Sequence, residues 1–120
     1  MTVRKVLCVD DSAAELNVIK QIASSAHLEV VSASNGKDAI QAARRELPDL
    51  IFLDIVMSDM DGFAVMRELH KDPATKAIPV VFVSSKSQKA DLEWARMQGA
   101  RGFVPKPVSE NAILEELKKF

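Results

Sequence analysis

Five polar residues in this sequence stand where apolar runs stop. Asp10 and Asp11 follow Val6 to Val9, Asp54 follows Leu50 to Leu53, Ser84 follows Val80 to Val83, and Lys106 follows Gly102 to Val104 by way of Pro105. If these ends meet, three carboxylates share one place with a hydroxyl and an ammonium. Crowded carboxylates repel and raise one another's pKa unless a cation neutralises them. With oxygen donors only, and no His or Cys near them in sequence, magnesium retaining several waters suits the set better than zinc or a calcium cage. Such an ion beside a lysine and a hydroxyl is what a phosphoryl group needs, because its transfer depends on neutralising charge on the equatorial oxygens. One of the carboxylates can then serve as the nucleophile.

Whether the ends meet depends on the elements that carry them. The apolar runs lack polar alternation, so they read as strands buried on both faces. Val6 to Val9 is followed by Ser12 and Glu15 in capping-box spacing, and Leu16, Ile19, Ile22 and Ala26 then recur at helical intervals to about Ser25. Glu29 to Ala33 is a second strand. Ala39, Ile40, Ala43 and Leu47 give a second helix, ending before Pro48. After the strand ending at Asp54, Asp61-Gly62 turns into a third helix with Phe63, Met66 and Leu69 on one face. Val80 to Val83 is the fourth strand. Ser87 to Gln98 is the fourth helix, with Gly99 at the usual place of a left-handed cap. Gly102 to Val104 is the fifth strand, and Ser109 caps a last helix striped by Ile113, Leu117 and Phe120.

Strands alternating with helices imply a parallel sheet covered on both faces. The predicted fold is α/β, a doubly wound five-stranded parallel sheet in the order 2-1-3-4-5, flanked by five helices. In such sheets the crevice lies beyond the carboxyl ends of the strands at the switch point, here between the first and third. The polar residues named above are the ones that would line it.

Composition sets the bounds. The 120 residues, 48% hydrophobic and 28% charged, suit one domain, and the net charge of −1 gives no general attraction to nucleic acid or anionic lipid. The lone cysteine, Cys8, lies in an apolar run and reads as a buried, inert thiol. The apolar run after Met1 to Lys5 is too short for a signal peptide or membrane span, so a cytoplasmic protein is expected.

The ordered combination of Asp10-Asp11, Asp54 to Gly62, Ser84 and Lys106-Pro107 resembles the receiver domains of two-component response regulators, most closely stand-alone receivers of the CheY-like kind. It covers the whole chain, residues 1–120, as one receiver domain. The segment from Trp94 to Ala100 is further similar to receivers of chemotaxis-like systems that control twitching motility. The resemblance implies that Asp54 accepts a phosphoryl group from the phosphohistidine of a sensor histidine kinase. It implies magnesium held by Asp11 directly, by Asp10 mainly through water, by Asp54, and by the backbone carbonyl of Val56. Lys106 would contact the phosphoryl group and Ser84 would donate its hydroxyl to it. Phe103 would swing inward and alter a docking surface formed by the fourth helix, fifth strand and fifth helix. The module would be a switch and not a metabolic enzyme, a monomer or weak dimer, acting on a protein target. A cis Lys106-Pro107 bond also follows from the resemblance.

The sequence departs from the family pattern in places. Ser58 stands where Pro is frequent, which predicts a less rigid loop after Asp54. Phe103 replaces a frequent Tyr and lacks its hydroxyl. Val56 and Lys86 occupy positions that tune spontaneous dephosphorylation. An apolar Val56 cannot orient the attacking water, so slower loss of phosphate is expected than with Asn there.

Taken singly, each residue has a plainer role. Asp10-Asp11 favourably charges a helix start, Ser84 is a turn residue, Lys106 a solvated cation and Phe103 core. Trp94 reads as a partner contact, His27 and His70 lack metal-ligand spacing, and Met57, Met60, Met66 and Met97 read as filler in cores or loops. Joint placement at four strand ends is what favours the site. Three rivals remain to be weighed. A haloacid dehalogenase-type phosphohydrolase wants a second Asp where Val56 stands, and a flavin carrier wants hydroxyls where the first loop is acidic. A receiver-fold module that works without phosphorylation, or a receiver excised from a longer regulator, is the main alternative.

Overall fold

The computed structural model describes residues 2–120. Ten elements alternate along the chain: β1 (Lys5–Val9), α1 (Ala13–Ser25), β2 (Glu29–Ala33), α2 (Gly36–Glu46), β3 (Leu50–Asp54), α3 (Gly62–Lys71), β4 (Val80–Ser84), α4 (Lys89–Met97), β5 (Gly102–Pro105) and α5 (Glu110–Leu117). The strands form one parallel sheet in the order β2-β1-β3-β4-β5, as the alternation predicts. Its register aligns Val9 with Leu53 and Asp54 with Val83, so the chain leaves β1, β3 and β4 along a common edge.

Successive side chains of a strand point to opposite faces, and the unbroken apolar runs therefore feed two layers. Leu7, Val9, Ile51, Leu53 and Phe82 pack with Ala39, Ala43, Val65, Met66 and Ala95 of α2, α3 and α4. Val6, Cys8, Leu50, Phe52, Val81 and Val83 pack with Ile19, Ala23 and Ile113 of α1 and α5. Each fully buried Val, Leu, Ile, Phe or Met among them contributes about 1.5–3 kcal/mol, which fixes which strand faces are inward. Burial pushes the Cys8 thiol up to about 12, in keeping with an inert core residue.

Short polar side chains start the helices. Ser12, Asn35, Asp61 and Ser109 accept hydrogen bonds from the backbone N–H three residues on, an arrangement whose loss typically costs about 1 kcal/mol each. The expected capping box at α1 is only half made. The Glu15 N–H reaches Ser12 Oγ at 3.4 Å, but the Glu15 carboxylate turns to Lys106.

Three further expectations shift. Helix α4 starts at Lys89 and not Ser87, opened by a bond from the Gln88 N–H to the Asp91 carboxylate at 3.1 Å. Leu47, expected on the buried stripe of α2, caps that helix at φ 46° with its side chain outward, because Pro48 has no N–H with which to continue the helix. Met97 is exposed on α4 and fills neither core nor loop. Gly99 adopts φ 109°, as expected after α4, and the Lys106-Pro107 bond is cis. No helix among the described residues is long and apolar enough to cross a membrane.

Candidate functional site

The edge where β1, β3 and β4 end brings the predicted carboxylates together. One oxygen from each of Asp10, Asp11 and Asp54 lies within 4.8 Å of the others. Asp10 and Asp54 are 0% and 4% exposed, whereas Asp11 faces solvent. The strands explain this difference: Asp54 is the last residue of β3 and Asp10 directly follows β1, so both inherit the burial of the sheet, while Asp11 lies one residue further out.

Lys106 reaches into the cluster from the loop after β5. Its Nζ lies 2.9 Å from Asp10 Oδ2 and 3.3 Å from Asp54 Oδ1, and it also pairs with Glu15. Its own N–H donates to the Ser84 carbonyl at 2.9 Å, which holds the β5 exit against β4. Desolvation opposes the ammonium charge, but Glu15, Asp10 and Asp54 outweigh it and raise the Lys106 pKa. Desolvation, and then the charge of Asp10, push the Asp54 carboxyl up to about 6, with Lys106 pulling the other way. A single ammonium thus leaves the cluster short of positive charge.

That deficit and the donor set fit a hard divalent cation. Asp10 Oδ1 accepts from the Ser12 N–H at 2.9 Å, while the buried Oδ2 leans on the Lys106 ammonium 2.9 Å away, which Asp54 and Glu15 share. One ammonium shared among several carboxylates offsets only part of the cost of gathering and burying them, which favours a further cation. Carboxylate oxygens in partly hydrated surroundings suit magnesium.

The remaining predicted residues stand around this centre. Ser84, buried, ends β4, and its Oγ accepts from the Lys86 N–H at 3.1 Å. The Val56 side chain is exposed on the loop after Asp54. Phe103 is half-buried beside Phe82 in register, and helps line an open groove of about 730 Å³ with Lys89, Leu92, Arg96 and Arg101. Thus Asp10, Asp11, Asp54 and Lys106 converge, whereas Phe103 lines the groove beside α4.

The family model for the response regulator receiver domain matches residues 6–118. This chain belongs to that family. The receiver is 40% identical over 113 residues to the protein PilH of Pseudomonas aeruginosa, covering 94% of this chain and 93% of that one. It is 37% identical over 114 residues to the response regulator PleD of Caulobacter vibrioides, of which it spans 25%. Among solved structures it superposes on the chemotaxis response regulator CheY4 of Vibrio cholerae with a TM-score of 0.90 at 26% identity, covering 98% of each chain. It is a signalling module of the two-component type and not a metabolic enzyme. Receivers generally bind magnesium at an acidic pocket, and the aspartate cluster is this receiver's counterpart.

Sequence reasoning missed one member of the site. Glu15 lies 91 residues from Lys106 in the chain and was assigned to helix capping, a role its spacing suggested equally well. The long reach of its side chain across the α1 entrance has no local signature.

Proposed function

We propose that residues 1–120 form one receiver unit, cytoplasmic, in which Asp54 accepts a phosphoryl group from the phosphohistidine of a sensor histidine kinase. An Asp54 carboxylate oxygen forms the new bond to phosphorus, the phosphorus–nitrogen bond of the donor breaks, and the imidazole leaves with the electron pair. Asp11, Asp54 and the Val56 carbonyl would hold magnesium, with Asp10 acting mainly through water. When bound, that ion neutralises charge on the phosphoryl oxygens. Lys106, already poised between Asp10 and Asp54, contacts the incoming group and balances the carboxylates before it arrives. Ser84 gives its hydroxyl to a phosphoryl oxygen.

On this reading Phe103 responds to the engagement of Ser84 and reshapes the surface formed by α4, β5 and α5, where a protein target docks. Leu92, Ala95 and Phe103 give that target apolar contact along the groove, and Lys89, Arg96 and Arg101 outnumber Glu93 among its charged groups. Similarity to PilH and to a chemotaxis response regulator supports placing the receiver in a chemotaxis-like system, of the kind that governs twitching motility.

The observation that carries the proposal is the clustering of Asp10, Asp11 and Asp54, one oxygen of each within 4.8 Å of the others, with the single Lys106 ammonium shared among Asp10, Glu15 and Asp54. Intact mass after incubation with acetyl phosphate tests it. One added phosphoryl group is expected with magnesium and none without it, and none on Asp54→Asn in either condition. Absence of any gain in the wild type, under conditions that modify another receiver, would favour the phosphorylation-independent interaction module.

A further inference from the structure

The loop between β3 and α3, residues 55–61, carries Val56, and with Ser58 it lacks the proline that would stiffen it. It is nevertheless tied down. At its far end the Gly62 N–H donates to the Ile55 carbonyl at 2.8 Å, closing the loop on itself. In its middle, Asp59 crosses to another helix. Asp59 Oδ1 accepts from the Gly36 N–H at 2.9 Å and Oδ2 from the Lys37 N–H at 3.0 Å, at the first turn of α2. These bonds, Gly36 first and then Lys37, hold the Asp59 carboxyl below the usual carboxylate range. The neighbouring Met60 side chain lies against Gly36 so closely that a Cβ there would collide with it.

Helix α2 has a cap of its own. Asn35 Oδ1 accepts from the Asp38 N–H at 2.8 Å, and Asn35 Nδ2 donates to the Asp38 carboxylate at 3.0 Å. The helix therefore starts without Asp59, whereas the centre of the loop has Asp59 and Met60 as its anchors. Charge-assisted bonds to two successive backbone N–H groups fix both position and orientation, which a single neutral contact would not.

We infer that Asp59 is a positioning residue: by clamping the phosphoacceptor loop to the N-terminus of α2, it holds the Val56 carbonyl where magnesium is bound, supplying the rigidity that a proline at position 58 would otherwise give. This rests on the magnesium reading of the aspartate cluster. The clamp also makes α2 a structural support of the site, although no side chain of that helix belongs to the carboxylate cluster.

Magnesium affinity of the unphosphorylated protein, measured by calorimetric titration with magnesium chloride, separates this role from mere helix stabilisation. Asp59→Ala is expected to weaken binding about tenfold, the usual range for groups that orient ligands. Asn35→Ala, which removes the other cap of the same helix, is expected to lower the melting temperature while leaving magnesium affinity within about twofold of wild type. Adding Ser58→Pro to Asp59→Ala is expected to recover most of the lost affinity. Should Asp59→Ala not fold, Asp59→Asn, which keeps one acceptor oxygen, carries the same comparison. Equal losses of affinity in the Asp59 and Asn35 variants, or an unchanged affinity in Asp59→Ala, would overturn the positioning role alone. No magnesium binding by the wild type would overturn the site reading and the positioning role with it.

Discussion

Helices α3 and α4 cover the same face of the sheet but are held to it very differently. Helix α3 buries Gly62, Val65, Met66 and Leu69, and its first residue approaches β3 so closely that a Cβ on Gly62 would sit 2.5 Å from the Asp54 carbonyl oxygen. Helix α4 buries Ala95 and leaves Leu92, Trp94 and Met97 in solvent. The two meet through an aromatic contact. Phe63 of α3 lies 4.9 Å from Phe82, centroid to centroid, and 6.4 Å edge-on from Trp94. Under the proposed function, chemistry at Asp54 needs fixed geometry, and the close packing of α3 suits that need. Under the same proposal the docking surface has to rearrange at low cost, which suits an element with few buried side chains.

The difference can be broken first in the core. Met66, 0% exposed, is expected to cost about 2–5 kcal/mol of stability on truncation to Ala, read from urea denaturation. A cost below 1 kcal/mol would mean that α3 is as loosely held as α4.

A second test concerns the charge buried at the end of β3. Because the Asp54 carboxyl titrates near 6 when folded, against 3.8 as its ordinary value, the folded state binds its proton more readily than the unfolded chain does. Stability from this group is present below about pH 3.8 and is lost as the pH rises through about 6. In the presence of a chelator, Asp54→Asn is therefore expected to be more stable than wild type at pH 8, by about 1–3 kcal/mol, with the advantage vanishing towards pH 4. An equal difference at both pH values would show that the carboxylate is not under electrostatic strain.

The smallest effects belong to α4. Trp94→Ala is expected to cost about 0.5–1.5 kcal/mol through its edge contact with Phe63. Met97→Ala, at a position 74% exposed, should stay within about 0.5 kcal/mol by the same denaturation assay. A large loss at Met97 would place it in an interface between copies of the chain.

The sheet order and the convergence of Asp10, Asp11, Asp54 and Lys106 could be read from sequence, because both depend on where unbroken apolar runs stop. What escaped was anything set by a side chain reaching across the fold. Glu15 has a plausible local role as half of a capping box, and Asp59 carries no signature of its own within its loop. The structure turns them to Lys106 and to the start of α2. The loop expected to be slack for want of a proline is held by a carboxylate 23 residues from its partner Gly36. Leu47 and Met97 misled in the opposite direction, since hydrophobic character and helical spacing suggest burial, and the helix end and the exposed side of α4 leave them in water. Trp94, read as a partner contact, is exposed on α4 with its ring edge-on to Phe63.

The single thiol in the middle of β1 gives the molecule a built-in clock. With its pKa near 12 and its sulfur sealed between the sheet and α1, Cys8 offers almost no thiolate to an alkylating reagent at neutral pH. Modification has to wait until the centre of the sheet opens, so the labelling rate of this one atom reports how often the whole fold comes apart, separately from the local movements of α4.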